Sequence, residues 1–259
     1  MLTKQYYDLY VRVPEFDTNI CEEVVRLIKQ KRYSGFSTAI QINPSFTRVT
    51  RSQMNFLEYC AKVAEHYGLD FVKRLDIRLK RVSAIKRFLQ RYRRKFEVIS
   101  VLGLNREVIS FSSRDNRIDI ITFYPSKNFK LLKGDIEYIK NGGKHVEFLI
   151  SYLRECKSNE QLAYRLSLYR KNLELIERKK IIPIFSSGII YPEFIPDSLS
   201  VIDFYEMLGV KRETIIRGLS DDIKALIDKN RKKIMGKMVS PGVEVLDDER
   251  EKKVCDNLS

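Results

Sequence analysis

The sequence predicts an α/β fold closed into a single barrel-like domain, and three observations carry that prediction. Short, apolar, β-branched runs alternate with helical patterns from one end of the chain to the other, the order that builds parallel strands joined by crossover helices. Several of these runs are apolar almost without interruption, as strands covered by helices on both faces must be. The 259 residues contain no obvious linker, which suits one barrel better than two domains. An open doubly wound sheet is the other arrangement that such alternation allows.

Eight segments carry the strand signature: Tyr7–Val13, Phe36–Ile42, Phe71–Leu79, Glu97–Leu102, Val108–Phe111, Ile118–Thr122, His145–Ile150 and Ile181–Phe185. "VLGLN" and "IITFYPS" end in Gly, Asn or Pro, the punctuation of loops between strands and helices. A first helix starts at Thr18, with Ile20, Val24, Leu27 and Ile28 on one face. A second runs from Thr50 to a glycine stop at Gly68. A third is expected within Arg81–Phe96, where Val82, Ile85, Leu89, Tyr92 and Phe96 recur at helical spacing. Between Ser158 and Arg178, Leu162, Leu166, Tyr169, Leu173 and Ile176 form another such face. Pro196–Leu208 and Ser220–Lys232 give two more amphipathic helices, the latter with Asp221 and Asp222 at its positive end. Beyond Gly236 the pattern dissolves, so residues 1–235 are expected to form the barrel and 236–259 a flexible tail.

Composition narrows the function. With 44% hydrophobic residues, including 14 Phe and 14 Tyr, the chain has ample material for a core. It contains no apolar run of membrane-spanning length, which predicts no transmembrane helix and no membrane partner. Its start resembles neither a signal peptide nor a transit peptide. Cys21, Cys60, Cys156 and Cys255 lie far apart and form no CxxC pair. Scattered reduced thiols of that kind suit the cytoplasm and argue against a zinc site or disulfide framework.

The net charge is +14 and it is local. Lys73–Lys95 holds eleven basic residues and a single acid, Asp76. The apolar face of the third helix turns Lys86, Arg87, Arg93 and Arg94 outward, with Arg91 at its border. Arg78, Lys80 and Arg81 fall where the preceding strand hands over to this helix. Arg48 and Arg51, ahead of the second helix, are weaker candidates for the same surface. Charge runs are usually solvated helix faces, but such faces intersperse Glu with Lys because unpaired like charges repel. Ten net charges with a single acid among them suit a polyanion, and RNA is the expected one. If about five phosphates are neutralised, log K should fall with log[salt] at a slope of roughly −4.

Catalytic groups are scarce. Metal-dependent phosphoesterase barrels carry Asp-x-His-x-His on their first strand, whereas Asp8 here is followed by Leu9, Tyr10, Val11 and Arg12. His66 and His145 are the chain's two histidines and lie on dissimilar elements, too few for such a centre. Asp8, Asp76 and Glu147 fall in or near strands and are the remaining candidates for a divalent ion. Their structural alternative is an inward acid paired with Lys or Arg, or one hydrogen-bonded at a strand end. "FSSGIIYP", Phe185–Pro192, is either a phosphate cradle of backbone N–H groups or a tight turn that needs Gly188. No P-loop, GxGxxG, GxSxG or Cys–His nucleophile pattern occurs. No catalytic or metal-ligating residue is therefore assigned.

Several segments together resemble protein component 3 of archaeal and eukaryotic ribonuclease P. They are "YYDLYV", "VISVLGLN", "RIDIITF", "HVEFLIS", "RKNLELIERKKIIPIFSSG", "IPDSLSVIDFYEMLGV" and "IKALIDKNRKK", spread over about Tyr6 to Lys233. No single motif is unique; their order and spacing carry the likeness. The resemblance implies a barrel related to the metal-dependent phosphoesterases that has lost metal-dependent catalysis. It implies a subunit of the endoribonuclease that removes the 5′ leader of precursor tRNA, in which an RNA using Mg²⁺ is the catalytic centre. The protein would hold no cofactor itself and, with protein component 2 and other ribonuclease P proteins, would steady the catalytic domain of that RNA. The family commonly has arginines flanking a proline after the Ser-Ser-Gly turn. Here Pro196 sits between Ile195 and Asp197, so no RNA contact is expected at that corner. Two other classes fit the residues: an independent metal-dependent phosphoesterase or nuclease, and a pure protein-interaction module.

Overall fold

The computed structural model describes residues 4–13 and 17–236, with the backbone of 238–240 and 243–244. Seven strands stand in sequential order in one parallel sheet. They are β1 (Tyr7–Val11), β2 (Gly35–Ile42), β3 (Asp70–Ile77), β4 (Val98–Leu102), β5 (Ile120–Thr122), β6 (His145–Leu149) and β7 (Pro183–Ser186). The first crossovers carry α1 (Thr18–Gln30), α2 (Arg51–His66), α3 (Val82–Tyr92), α4 (Arg106–Arg114) and α5 (Lys133–Asn141). Next come α6 (Ser151–Arg154) and α7 (Asn159–Arg178), then α8 (Ser198–Met207), α9 (Arg212–Leu219) and α10 (Asp221–Ile234) after the last strand. Two short strands, β8 (Met238–Ser240) and β9 (Val243–Glu244), pair antiparallel within the stretch expected to be a tail. The rest of that stretch, with Cys255, lies outside the described residues.

One predicted strand, Val108–Phe111, is a turn of α4 instead. A four-residue apolar run cannot by itself be told from a buried helical segment, and the residue before it decides. Asn105 accepts a hydrogen bond from the Val108 N–H at 2.9 Å, an N-cap that starts a helix. Val108, Ile109 and Ser112 then face inward at helical spacing. The sequence pattern also missed α5, α6 and α9, which are short.

The sheet nearly closes on itself. Beyond β7, the Gly188 N–H donates to the Tyr10 carbonyl at 2.7 Å, and the Arg12 N–H to the Ile189 carbonyl at 2.8 Å. A register shift in β1 between Asp8 and Val11 makes room for this seam. Ile223, Leu226 and Ile227 of α10 pack on Tyr7, Leu9, Val72, Val98, Ile120 and Ile184, plugging the end of the barrel where the strands begin. Helices α1–α3 bury their apolar faces on β2–β4, and α5 and α7–α9 on β5–β7. α9 comes so near that a Cβ on Gly218 would lie 2.0 Å from the Pro183 carbonyl oxygen.

Candidate nucleic-acid interface

The basic surface is built by α3. Its apolar spacing buries Ile85, Leu89 and Tyr92, with Phe96 just beyond. Those anchors leave Lys80, Arg81, Lys86, Arg87, Arg91 and Arg94 exposed to solvent. Arg48 and Arg51 join them from the next helix. The Val49 N–H donates to the Tyr92 hydroxyl at 3.2 Å, tying the start of α2 to the end of α3. Thr50 and Gln53 then close a capping box that fixes the first turn of α2. Lys86 Nζ sits 5.5 Å from the Phe111 ring centre. It lines a groove of about 530 Å³ between α3 and α4, together with Arg106, Ser110 and Arg114.

Two members of the predicted set are placed differently. Arg78 curls into the mouth of the barrel, where Nε donates to Asp76 at 2.7 Å and a second nitrogen donates to the Tyr10 hydroxyl. Arg93, expected to face outward, turns under the barrel instead. Its Nη2 reaches Asp119 and Asn230, both at 3.0 Å, and Nη1 the Phe96 carbonyl at 3.2 Å. The reason is positional: Arg93 follows the last turn of α3, where the chain drops back to enter β4 beside α10. Among the described residues, the other eight form no ion pair, whereas Arg78 and Arg93 do.

Inside the barrel a guanidinium takes the central place. Arg74 and Glu147 are both fully buried and meet in a bidentate pair at 2.6 and 2.7 Å. Arg74 also donates to the Leu9 carbonyl and the Ser100 hydroxyl, both at 2.9 Å. Its guanidinium carbon lies 4.4 Å from the centre of the Tyr10 ring. Thr122 and Ser186 each donate to Glu147 at 2.8 Å. Asp76 accepts from Ser100 at 2.6 Å, from Tyr10 at 2.9 Å and from Arg78. Burial pushes the Asp76 carboxyl up, but Arg78 and Arg74 outweigh it and hold it below the usual carboxylate range.

This chemistry does not fit a divalent ion. Asp76 and Glu147 face inward, as the sequence suggested, but each is matched by arginine. Asp8 accepts from the Tyr10 and Ser187 N–H groups at 3.1 Å, holding the seam between β1 and the segment after β7. Burial raises its pKa against those hydrogen bonds. Among the described residues, no group of three or more His, Cys, Asp or Glu is arranged to hold a metal.

A family model for RNase P subunit p30 matches residues 5–235. The chain belongs to that family. A relative named ribonuclease P protein component 3, from Haloarcula marismortui, is 22% identical over 191 residues, covering 72% of this chain and 78% of the relative. A chain in a cryo-EM structure of archaeal ribonuclease P with mature tRNA superposes with a TM-score of 0.75 at 17% identity, over 94% of this chain and 99% of that one. The ochratoxinase of A. niger has the same kind of barrel, with a TM-score of 0.55 at 8% identity over 86% of this chain and 71% of its own.

The remaining predicted features of this p30-family chain also have places. In the Ser-Ser-Gly turn, Ser186 serves Glu147, the Ser187 N–H serves Asp8, and the Gly188 N–H closes the barrel. Gly188 has φ +64°, so the turn needs glycine and its donors are engaged rather than free to cradle phosphate. His145 Nδ1 lies 3.2 Å from the Ile182 carbonyl, and burial lowers its pKa. His66 packs edge-on against Tyr67. Sequence reasoning counted Arg74 with the basic run and missed its role. The signal was present: Val72, Arg74 and Asp76 alternate along β3, so an inward Asp76 places Arg74 inward too. Among the described residues no helix is long and apolar enough to cross a membrane.

Proposed function

We propose that this chain is an RNA-binding scaffold subunit of ribonuclease P, gripping the phosphates of the catalytic RNA with the α3 face. Arg81, Lys86, Arg87, Arg91 and Arg94 supply the grip, Lys80 extends it toward the barrel mouth, and Arg48 and Arg51 extend it onto α2. The single observation that supports this most is the contrast between outside and inside. The α3 cations lack acidic partners among the described residues, while Glu147, Asp76 and Asp119 of the interior are each matched to an arginine. Guanidinium groups on a rigid helix suit bidentate contact with phosphate oxygens. Cleavage of the 5′ leader of precursor tRNA would then belong to the RNA and its Mg²⁺, with no catalytic residue or cofactor on this chain. Protein component 2 and the other ribonuclease P proteins would share the scaffold role, in the cytoplasm.

The test is the triple variant Lys86→Ala, Arg87→Ala, Arg94→Ala titrated with ribonuclease P RNA across a range of salt. Losing three phosphate contacts should weaken binding at least tenfold and flatten the log K against log[salt] slope by about 2 to 3. Unchanged affinity and slope would reject the assignment. The purified chain, incubated with Mg²⁺ or Mn²⁺ and a phosphodiester but no RNA subunit, should show no hydrolysis. Activity that Asp8→Asn abolishes would favour an independent phosphoesterase instead.

A further inference from the structure

The mouth of the barrel, where the strands end, holds polar groups that have no partner among the described residues. Tyr152, in α6, is only 6% exposed, yet its hydroxyl has no hydrogen-bond partner among the described residues. Arg12 Nε, just after β1, is buried and equally unpartnered among those residues. Buried polar groups are almost always satisfied, so two at one place point to something they receive. Tyr152 clusters with Tyr10, Leu102 and Leu149. The Arg12 and Arg78 guanidinium carbons lie 5.9 and 5.8 Å from the centre of that same Tyr10 ring. Burial keeps the Tyr152 hydroxyl protonated against the pull of Arg78, so it stands as a donor.

Beside this cluster opens a cavity of about 620 Å³, lined by Arg78, Lys80, Arg81, Leu102, Leu104 and Tyr124, within the size range of small-molecule sites. Tyr152 and Arg12 do not line it and adjoin it through Tyr124 and Arg78. Tyr124 is 38% exposed. Its ring stands perpendicular to that of Tyr152, with centres 5.7 Å apart. The charges facing the mouth favour an anion. Arg78 is held by Asp76 and Arg12 by Glu155, at 2.7 and 3.1 Å, and Glu147 below is matched by Arg74. Lys80 and Arg81 on the rim are a surplus, being in no ion pair among the described residues.

We infer that the barrel mouth is a nucleotide-binding site. The Tyr152 O–H, Arg12 Nε–H and Arg78 guanidinium receive the oxygens of one phosphate, Lys80 and Arg81 add charge at the rim, and Tyr124 stacks on the base. Binding is non-covalent and needs no metal. The phosphate belongs either to a free mononucleotide or to an unpaired nucleotide of a bound RNA; the chemistry is the same. The site goes beyond the α3 surface and shares only Lys80 and Arg81 with it.

The full chain should be titrated calorimetrically with AMP and with inorganic phosphate, alongside Tyr152→Phe and Tyr124→Ala. Tyr152→Phe deletes only an unpartnered hydroxyl, so it should melt like the parent while binding AMP about fivefold or more weakly. Tyr124→Ala should reduce AMP affinity toward that of inorganic phosphate. Absence of AMP and phosphate binding at millimolar concentration, or a Tyr152→Phe variant that binds as the parent does, overturns the proposal. A competition arm separates the two sources: AMP that displaces RNA places the site on an RNA nucleotide, and AMP that binds without displacing RNA assigns it to a free one. The α3 triple variant should keep its AMP affinity, so failure of either assignment is seen apart from the other.

Discussion

Arg74 and Glu147 meet where neither side chain reaches water, and every oxygen of Glu147 has a donor. Such a pair gains little over an apolar one but is costly to break, because the survivor is a stranded charge. Glu147→Gln and Arg74→Met should each lower the free energy of unfolding by about 3 to 5 kcal/mol in a denaturant titration. Combining Arg74→Met with Glu147→Leu should lose less than the sum of the two, since no charge is then left behind. Asp8 has a different signature. Its folded pKa is raised, so its contribution to stability is fully present below about 3.8 and is lost as pH rises through the folded value. Asp8→Asn lacks that titration and should therefore gain on the parent between acid and neutral pH, which thermal melts at pH 3 and pH 7 would register. Asp76 and Glu147 were legible as inward acids from their strand positions. Asp8 was legible in the same way, but not its partner, since the Ser187 N–H comes from the far end of the chain.

α3 divides its residues cleanly between the fold and the surface. Ile85 is fully buried, and Ile85→Ala should cost about 2 to 5 kcal/mol in unfolding free energy. Arg87 is exposed, and Arg87→Ala should stay within about 0.5 kcal/mol while still weakening RNA binding. Equal thermal losses in the two variants would contradict this division. Period-3.6 spacing made this helix readable from sequence, along with α1, α2, α7, α8 and α10. A single apolar run of four residues did not suffice for α4, where the Asn105 cap outranked β-branched composition. Arg93 was misjudged for a related reason, since helical phase stops being informative once the helix has ended.

Across the whole molecule, closure depends on very few bonds. Seven strands are joined by ladders, but β1 meets the segment after β7 through Gly188, Ile189 and the Asp8 carboxylate. Gly188 combines φ +64° with a position where a Cβ would lie 2.5 Å from Ser151 Oγ. Gly188→Val should therefore destabilise the protein by about 2 kcal/mol or more, and hydrogen exchange should show the loosening first in β1. A wild-type exchange pattern in that variant would mean the seam carries no strain. The barrel was legible from alternation and length alone, whereas this seam was not. Sequence periodicity reports which face of an element is buried, not which two strands meet.

The plug of α10 below and the seam above have a consequence for the guanidinium between them. Exposed arginine side chains trade their protons with solvent too fast for their nitrogen-bound resonances to survive at neutral pH. Those of Arg74 should instead persist as sharp signals, exchanging only when the whole domain opens. One side chain would thus serve as an internal clock for global unfolding, readable in the spectrum of ¹⁵N-labelled protein without any attached probe.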